Sequence, residues 1–325
     1  MTAGGAGAAG VAGASGVRGA AAVAGAAGVA GAAGVAGAAG LPVPVVLLHG
    51  LTDASTCWPT VLPRYAGARP VVALDARGHG GTPLPDEPFT VAALAADAAE
   101  ALRALDLGPA LVVGHSMGGV TAEELALAAP ELVAGIVLED PAWVTAEPQA
   151  VDGPGTDPAL LGVSGAAGTG AGAGAGERDP GGVPDWLAPA VAAVQGRTVD
   201  QIAARGRLDN PRWSEAEVRG WAEAKARVDP RLAEVPHDWL GRDWVEALAD
   251  VRVPVTLLTA GPGLGVVSER QAARAAELLG DRLTHVAFPD AGHNIRREAP
   301  GAYLAALDAA VARADASAGA GAAAR

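Results

Sequence analysis

The pentapeptide Gly114-His115-Ser116-Met117-Gly118 lies between an apolar run, Ala110 to Val113, and a helix-like stretch from Val120 to Ala129. No other feature of the chain constrains its fold as tightly. A strand that breaks sharply into a helix needs small residues on both sides of the bend, because side chains at 114 and 118 would collide across it. The residue at the apex is pushed into a strained backbone conformation with its side chain above the sheet edge. Ser116 is therefore read as an exposed nucleophilic hydroxyl, and the amide of Met117, first in the new helix, as a donor aimed where an oxyanion could form. In a chain with 46 glycines the bare pattern G-x-S-x-G carries little weight. The strand before it and the helix after it are the context the motif demands.

Further motifs follow in a fixed order. Val43 to Leu48 is a buried-strand run ending in His49-Gly50-Leu51, and Val71 to Leu74 leads into Asp75-Ala76-Arg77-Gly78-His79-Gly80. Beyond the elbow come strand-like Gly135 to Leu138 and Val253 to Thr259, then Ala291-Gly292-His293 near the end. Together these segments resemble the α/β-hydrolase family over about residues 41–145 and 246–313. His49-Gly50 is similar to that family's oxyanion loop, residues 75–80 to its D-x-R-G-H-G turn, and His293 to its late histidine. Alternating strand runs and helix-like segments independently point to an α/β fold with a mostly parallel central sheet flanked by helices. The resemblance implies a helical cap inserted after the sixth strand. Stretches at Trp186 to Val194, Val199 to Leu208 and Ser214 to Val228 would supply it, with Ser214 and Glu217 as a capping box.

Half of the 325 residues are hydrophobic, so a substantial core is available. A net charge of -13 argues against nucleic acid or an anionic membrane as partner, leaving a small-molecule substrate. The single Cys57 excludes an intramolecular disulfide, and no Cys/His cluster has metal-ligand spacing, so neither metal nor cofactor is expected. Residues 1–40 repeat Gly, Ala and Val without an amphipathic face and lack the basic start of a secretory signal. They are read as a disordered tail on a cytoplasmic protein. A Gly/Ala insert at 162–176 and a tail at 316–325 are read the same way. The core is then assigned to 41–140 and 246–315, and the cap to 141–245.

Ser116 needs a base, and a positioned imidazole can take its proton during attack. The resemblance assigns that part to His293. His79 and His115 are read as loop-packing and elbow-flanking residues, His237 and His285 as structural or solvated. The resemblance also implies an acid after the seventh strand, but the loop Thr259 to Gly265 has none. Asp140, after the preceding strand, is the preferred substitute, because some family members place their acid there. Glu139 beside it would point to the other side of an extended chain. Glu269, Asp290 or no acid at all remain open. Leu51 and Met117 would form the oxyanion hole, with Gly50 permitting close approach of the substrate. Trp58 and Trp143 are expected in the substrate pocket, while most of the six tryptophans from Trp143 to Trp244 pack the cap onto the core.

The implied activity is cleavage of a carboxylic ester, lactone or thioester of a small to medium apolar substrate through an acyl-enzyme on Ser116. A cofactor-free haloperoxidase or perhydrolase could use the same elbow with peroxide as acyl acceptor. A non-catalytic binder on the same scaffold is the third reading, motivated by the missing acid.

Overall fold

The computed structural model describes residues 42–143, 182–239 and 241–323. The expectations for residues 1–40 and for the insert at 162–176 lie outside those described residues. Six strands form one parallel sheet: β1 (Val45–Leu48), β2 (Val71–Leu74), β4 (Ala110–His115), β5 (Val133–Glu139), β7 (Val255–Thr259) and β8 (Leu283–Ala287), in the order β2-β1-β4-β5-β7-β8. A separate two-residue pair, β3 (Phe89–Thr90) with β6 (His237–Asp238), ties the chain before one helix to the end of the inserted segment.

The apolar runs become central strands because they are buried on both faces. In β1, Val46 and Leu48 join the cluster that includes Val112, Ile136 and Leu257, whereas Val45 and Leu47 join Leu111, Val113 and Val137 on the opposite face. The helices Val91–Ala104 and Met117–Ala128 cover the first face. The C-terminal helix covers the second through Tyr303, Leu307, Ala310 and Val311. Every strand of the sheet is parallel to its neighbours, so their C-terminal ends open on one edge, where ligands of such sheets bind.

Between β5 and β7 the described chain forms the helices Leu187–Val194, Val199–Asp209 and Glu215–Lys225. They have a small core of their own around Ile202, Trp213, Val218 and Trp221. Two sequence expectations are corrected here. Ser214 does accept the Glu217 amide, but the Glu217 carboxylate does not return to close a capping box; it is buried, accepting from Thr60 and pairing with Arg297. Residues 316–323 of the tail are helical, as the end of the helix Pro300–Ala323. Alanine is the best helix former, and a helix already nucleated by packing propagates across a few glycines that each cost about 1 kcal/mol. Among the described residues no helix is long and apolar enough to cross a membrane.

Candidate active site

Ser116 sits at φ 52°, ψ -114°, a left-handed conformation that serine rarely adopts and that costs on the order of 1–3 kcal/mol. The neighbourhood over-determines it. Its N–H donates to Glu139 O at 3.0 Å, and its own carbonyl accepts from Gly119 at 2.9 Å and Ala142 at 3.1 Å. A Cβ on Gly114 would lie 2.0 Å from Gly118 O, and one on Gly118 would lie 2.1 Å from Leu48 O. The two motif glycines are thus required by contact, and the helix begins at Met117, directly after the serine.

The segment after β1 folds over this elbow. A Cβ on Gly50 would come within 2.8 Å of His115 Nδ1 and 3.3 Å of Ser116 Cβ, so only glycine brings this backbone against the serine. Asp53 N donates to Gly50 O at 3.0 Å, closing a four-residue turn with Leu51 and Thr52 at its tip. Two neutral imidazoles splint that turn. His79 Nε2 accepts from Thr52 N at 3.0 Å, leaving Nδ1–H to donate to Arg77 O at 2.9 Å. His49 Nε2 accepts from Ala76 N at 3.0 Å while Nδ1–H donates to Gly50 O at 2.8 Å. Acceptance at Nε2 requires the neutral ring, and burial supplies it by lowering the His49 pKa and pushing that of His79 down to about 3.

The imidazole of His293 is buried, with Nδ1 at 2.6 Å from Asp140 Oδ2. His115, the residue before the serine, holds the histidine loop in place: its Nε2–H donates to His293 O at 3.0 Å, and the two rings lie 4.6 Å apart. Asp140 takes φ 39° as the chain leaves β5. The acid-free loop after β7 is turned toward it. Val266 N donates to Asp140 Oδ2 at 2.9 Å and Val267 N to Oδ1 at 3.2 Å, and Gly265 packs so closely that a Cβ there would meet Oδ2 at 2.5 Å. Of the other acids weighed, Glu269, exposed, is the first residue of a helix, and Asp290 is exposed on the surface.

Glu139 faces away from Asp140 into a buried ionic set that the sequence reading missed. Arg296 pairs with Glu139 and, at 3.1 Å, with Asp53; Arg297 reaches Asp53 at 2.8 Å and Glu217 at 3.5 Å; Lys225 lies 3.4 Å from Asp53. Each member stands close in sequence to a proposed site residue or on the inserted helix. Burial opposes ionisation of Asp53, yet Arg297, Lys225 and Arg296 hold its carboxyl well below the usual range. Burial pushes Glu139 upward, with Arg296 pulling the other way. The signal in the sequence was Arg296-Arg297 so soon after His293, but charged residues are read as surface by default.

Both tryptophans expected in the pocket are corrected. Trp58 is fully buried on the far sheet face with the Arg296 guanidinium 4.5 Å from its ring centroid. Trp143 is 2% exposed, donating through Nε1 to Glu123 at 3.0 Å within the main core. An aromatic ring beside a motif is packing in both cases. A cavity of about 310 Å³ lies instead over the ends of β1 and β2, lined by Leu48, Leu74, Leu84, Leu94 and Ala98, and it borders the elbow through Met117 and Gly118.

A family model described as the alpha/beta hydrolase family matches residues 45–307. Over 100 residues the chain is 42% identical to a protein of Xenopus laevis named sn-1-specific diacylglycerol lipase, which is 30% of this chain and 31% of that protein. Over 101 residues it is 40% identical to the lipase LipV of Mycobacterium tuberculosis, 31% of this chain and 38% of that one. The chain therefore spans about a third of the length of these curated relatives. Among solved structures, an esterase from Rhodococcus sp. ECU1013 superposes with a TM-score of 0.57 at 21% identity, covering 85% of this chain and 92% of that chain, a likeness of fold.

Proposed function

Because this chain belongs to the alpha/beta hydrolase family, we propose that it hydrolyses a carboxylic ester, lactone or thioester of a small to medium apolar substrate, through an acyl-enzyme on Ser116. The observation that carries this reading is the buried 2.6 Å contact between His293 and Asp140, with the carbonyl of His293 held by His115, the chain neighbour of a serine at positive φ. The contact of Asp140 with His293 counts against a non-catalytic reading, which was motivated by the missing acid after the seventh strand.

In the proposed cycle His293 Nε2 takes the proton of Ser116 as Oγ bonds to the acyl carbon, and the carbonyl electron pair moves to oxygen. The amides of Leu51 and Met117 receive that oxyanion; losing one such donor costs about 2.7 to 4 kcal/mol in a protease. The imidazolium gives its proton to the leaving oxygen or sulfur as that bond breaks. Water, deprotonated by the same ring, then attacks the acyl-enzyme and releases the acid and Ser116. Asp140 holds the Nδ1–H tautomer and offsets the positive charge that develops on the ring. The apolar cavity beside Met117 supports an aliphatic or aromatic acyl group, and its setting over β1 and β2, on the other side of the serine from the histidine loop after β8, supports the acyl rather than the leaving part. A cytoplasmic location is part of the same proposal.

The test is labelling with a fluorophosphonate probe, together with p-nitrophenyl esters of increasing chain length, a lactone and an acyl thioester. Wild-type protein is expected to label and to turn over at least one class, and Ser116→Ala to do neither. A folded wild-type chain that never labels and hydrolyses none of them overturns the proposal.

A further inference from the structure

Twenty-two of the chain's 23 basic residues are arginine; the exception is Lys225, and it is buried. It ends the helix Glu215–Lys225 of the inserted segment and reaches the turn at Gly50 to Asp53. There its ammonium donates to Thr52 O at 3.0 Å and to Thr52 Oγ1, and lies 3.4 Å from Asp53 Oδ1. An ammonium has three donors radiating from one atom, and here three acceptors surround that atom. The planar fork of an arginine does not fit such an arrangement, which accounts for the departure from the chain's habit.

The turn needs that grip. Thr52 has φ 66°, at a turn position where glycine or asparagine is the ordinary choice and a β-branched residue is strained. Its N–H is held by His79, and its carbonyl and hydroxyl are held by Lys225. The inserted helix is itself fastened to the same stretch of chain, with Thr56 Oγ1 donating to Gly220 O at 2.8 Å and Thr60 Oγ1 to Glu217 at 2.9 Å. Gly220 allows this contact, since a Cβ there would lie 2.1 Å from Thr56 O.

We propose that Lys225 is a positioning residue: from the inserted helix it holds Thr52 in its strained conformation and so sets the direction of the Leu51 amide toward the oxyanion. The inference rests on the acyl-enzyme reading above. Lys225 touches no reacting atom, and its effect falls on the transition state rather than on substrate binding.

Three variants test it, after ester turnover has been established for the wild type. Lys225→Met is expected to lower kcat on the order of 10²-fold, the scale of one lost oxyanion donor, with KM within about threefold. Its affinity for a boronic acid transition-state analogue should fall by the same factor as kcat/KM. Lys225→Arg keeps the charge but not the geometry and should lose about tenfold or more in kcat, so it serves where the methionine variant does not fold. Thr52→Gly, which adopts positive φ without help, should restore about tenfold in kcat when combined with either lysine variant, relative to that lysine variant alone. Folded lysine variants with kcat within threefold of wild type overturn the inference, as does a glycine partner that restores nothing. If the wild type hydrolyses no ester the parent reading fails and this one with it; turnover with inert lysine variants removes this one alone.

Discussion

Replacing Asp140 by asparagine separates the two services that its carboxylate is proposed to give. Three donors converge on it: His293 Nδ1 and Val266 N on Oδ2, and Val267 N on Oδ1. An asparagine has one acceptor atom and one donor group, so one of two arrangements must follow. With the NH2 in the Oδ2 position, His293 has to accept at Nδ1, its proton moves to Nε2, and the nitrogen proposed to take the Ser116 proton can no longer act as a base. With the NH2 in the Oδ1 position, the tautomer survives but Val267 N–H faces another donor, at a cost of about 1–3 kcal/mol in stability, and the charge that steadies imidazolium is gone. In a serine protease the corresponding change costs about 10⁴ in kcat, or ~5 kcal/mol. We expect a loss on that scale for Asp140→Asn, in kcat more than in KM, measured on the best p-nitrophenyl ester. The backbone supplies a control, because φ 39° suits asparagine as well as aspartate. The thermal midpoint should therefore move by no more than the unpaired amide explains. A folded variant within about threefold of wild-type turnover refutes the role of Asp140 and returns the question to the exposed acids or to none.

Gly114→Ala places a methyl 2.0 Å from Gly118 O, where only backbone can yield, and should lower stability by about 3 kcal/mol in chemical denaturation; a variant as stable as wild type contradicts the packing described for the elbow. Ala98→Phe fills the cavity beside Met117, and the ratio of kcat/KM for an octanoyl over an acetyl ester should fall about tenfold, whereas an unchanged ratio in active protein moves the acyl site elsewhere. Asp53 binds its proton more weakly folded than unfolded, so its share of stability is present above an unfolded pKa of about 3.9 and disappears as pH falls through its folded value. Asp53→Asn should flatten the acid limb of a melting-temperature profile below about pH 4 and cost about 3–5 kcal/mol at neutral pH by leaving Lys225 without its acidic partner and Arg296 and Arg297 with one each; a profile parallel to wild type argues against the buried pairing.

The central strands were legible because they are largely apolar runs, and the elbow because its glycines are steric necessities. The helix-like stretch was read from Val120, whereas the helix starts at Met117, where the motif itself had put it; Gly118 and Gly119, poor helix formers, hid the first turn from propensity. The meeting of Asp140 with His293 spans 153 positions, and periodicity carries no information about such a contact; the alternation of Glu139 and Asp140 did separate their directions. The buried ions escaped notice because each was unremarkable alone, and only the fold reveals that Asp53, Glu139 and Glu217 neutralise Arg296, Arg297 and Lys225. Trp58 and Trp143 were misplaced because proximity in sequence to a motif says nothing about which sheet face a ring occupies. The C-terminal helix ran on past 316 because packing of Tyr303 and Leu307 started it.

What the loop after β7 gives to Asp140 is main-chain hydrogen, not side chain. Pro262, Gly263 and Leu264 at its tip are exposed, and Gly263, at φ 70°, has open space around the place of a Cβ. This rim is consequently free for recognition chemistry. Polar or bulky groups grafted at 262 and 264 would stand near the proposed proton relay without entering it, so selectivity could be redesigned there at little risk to turnover. A hydrolase that roots its acid in the same loop lacks that freedom.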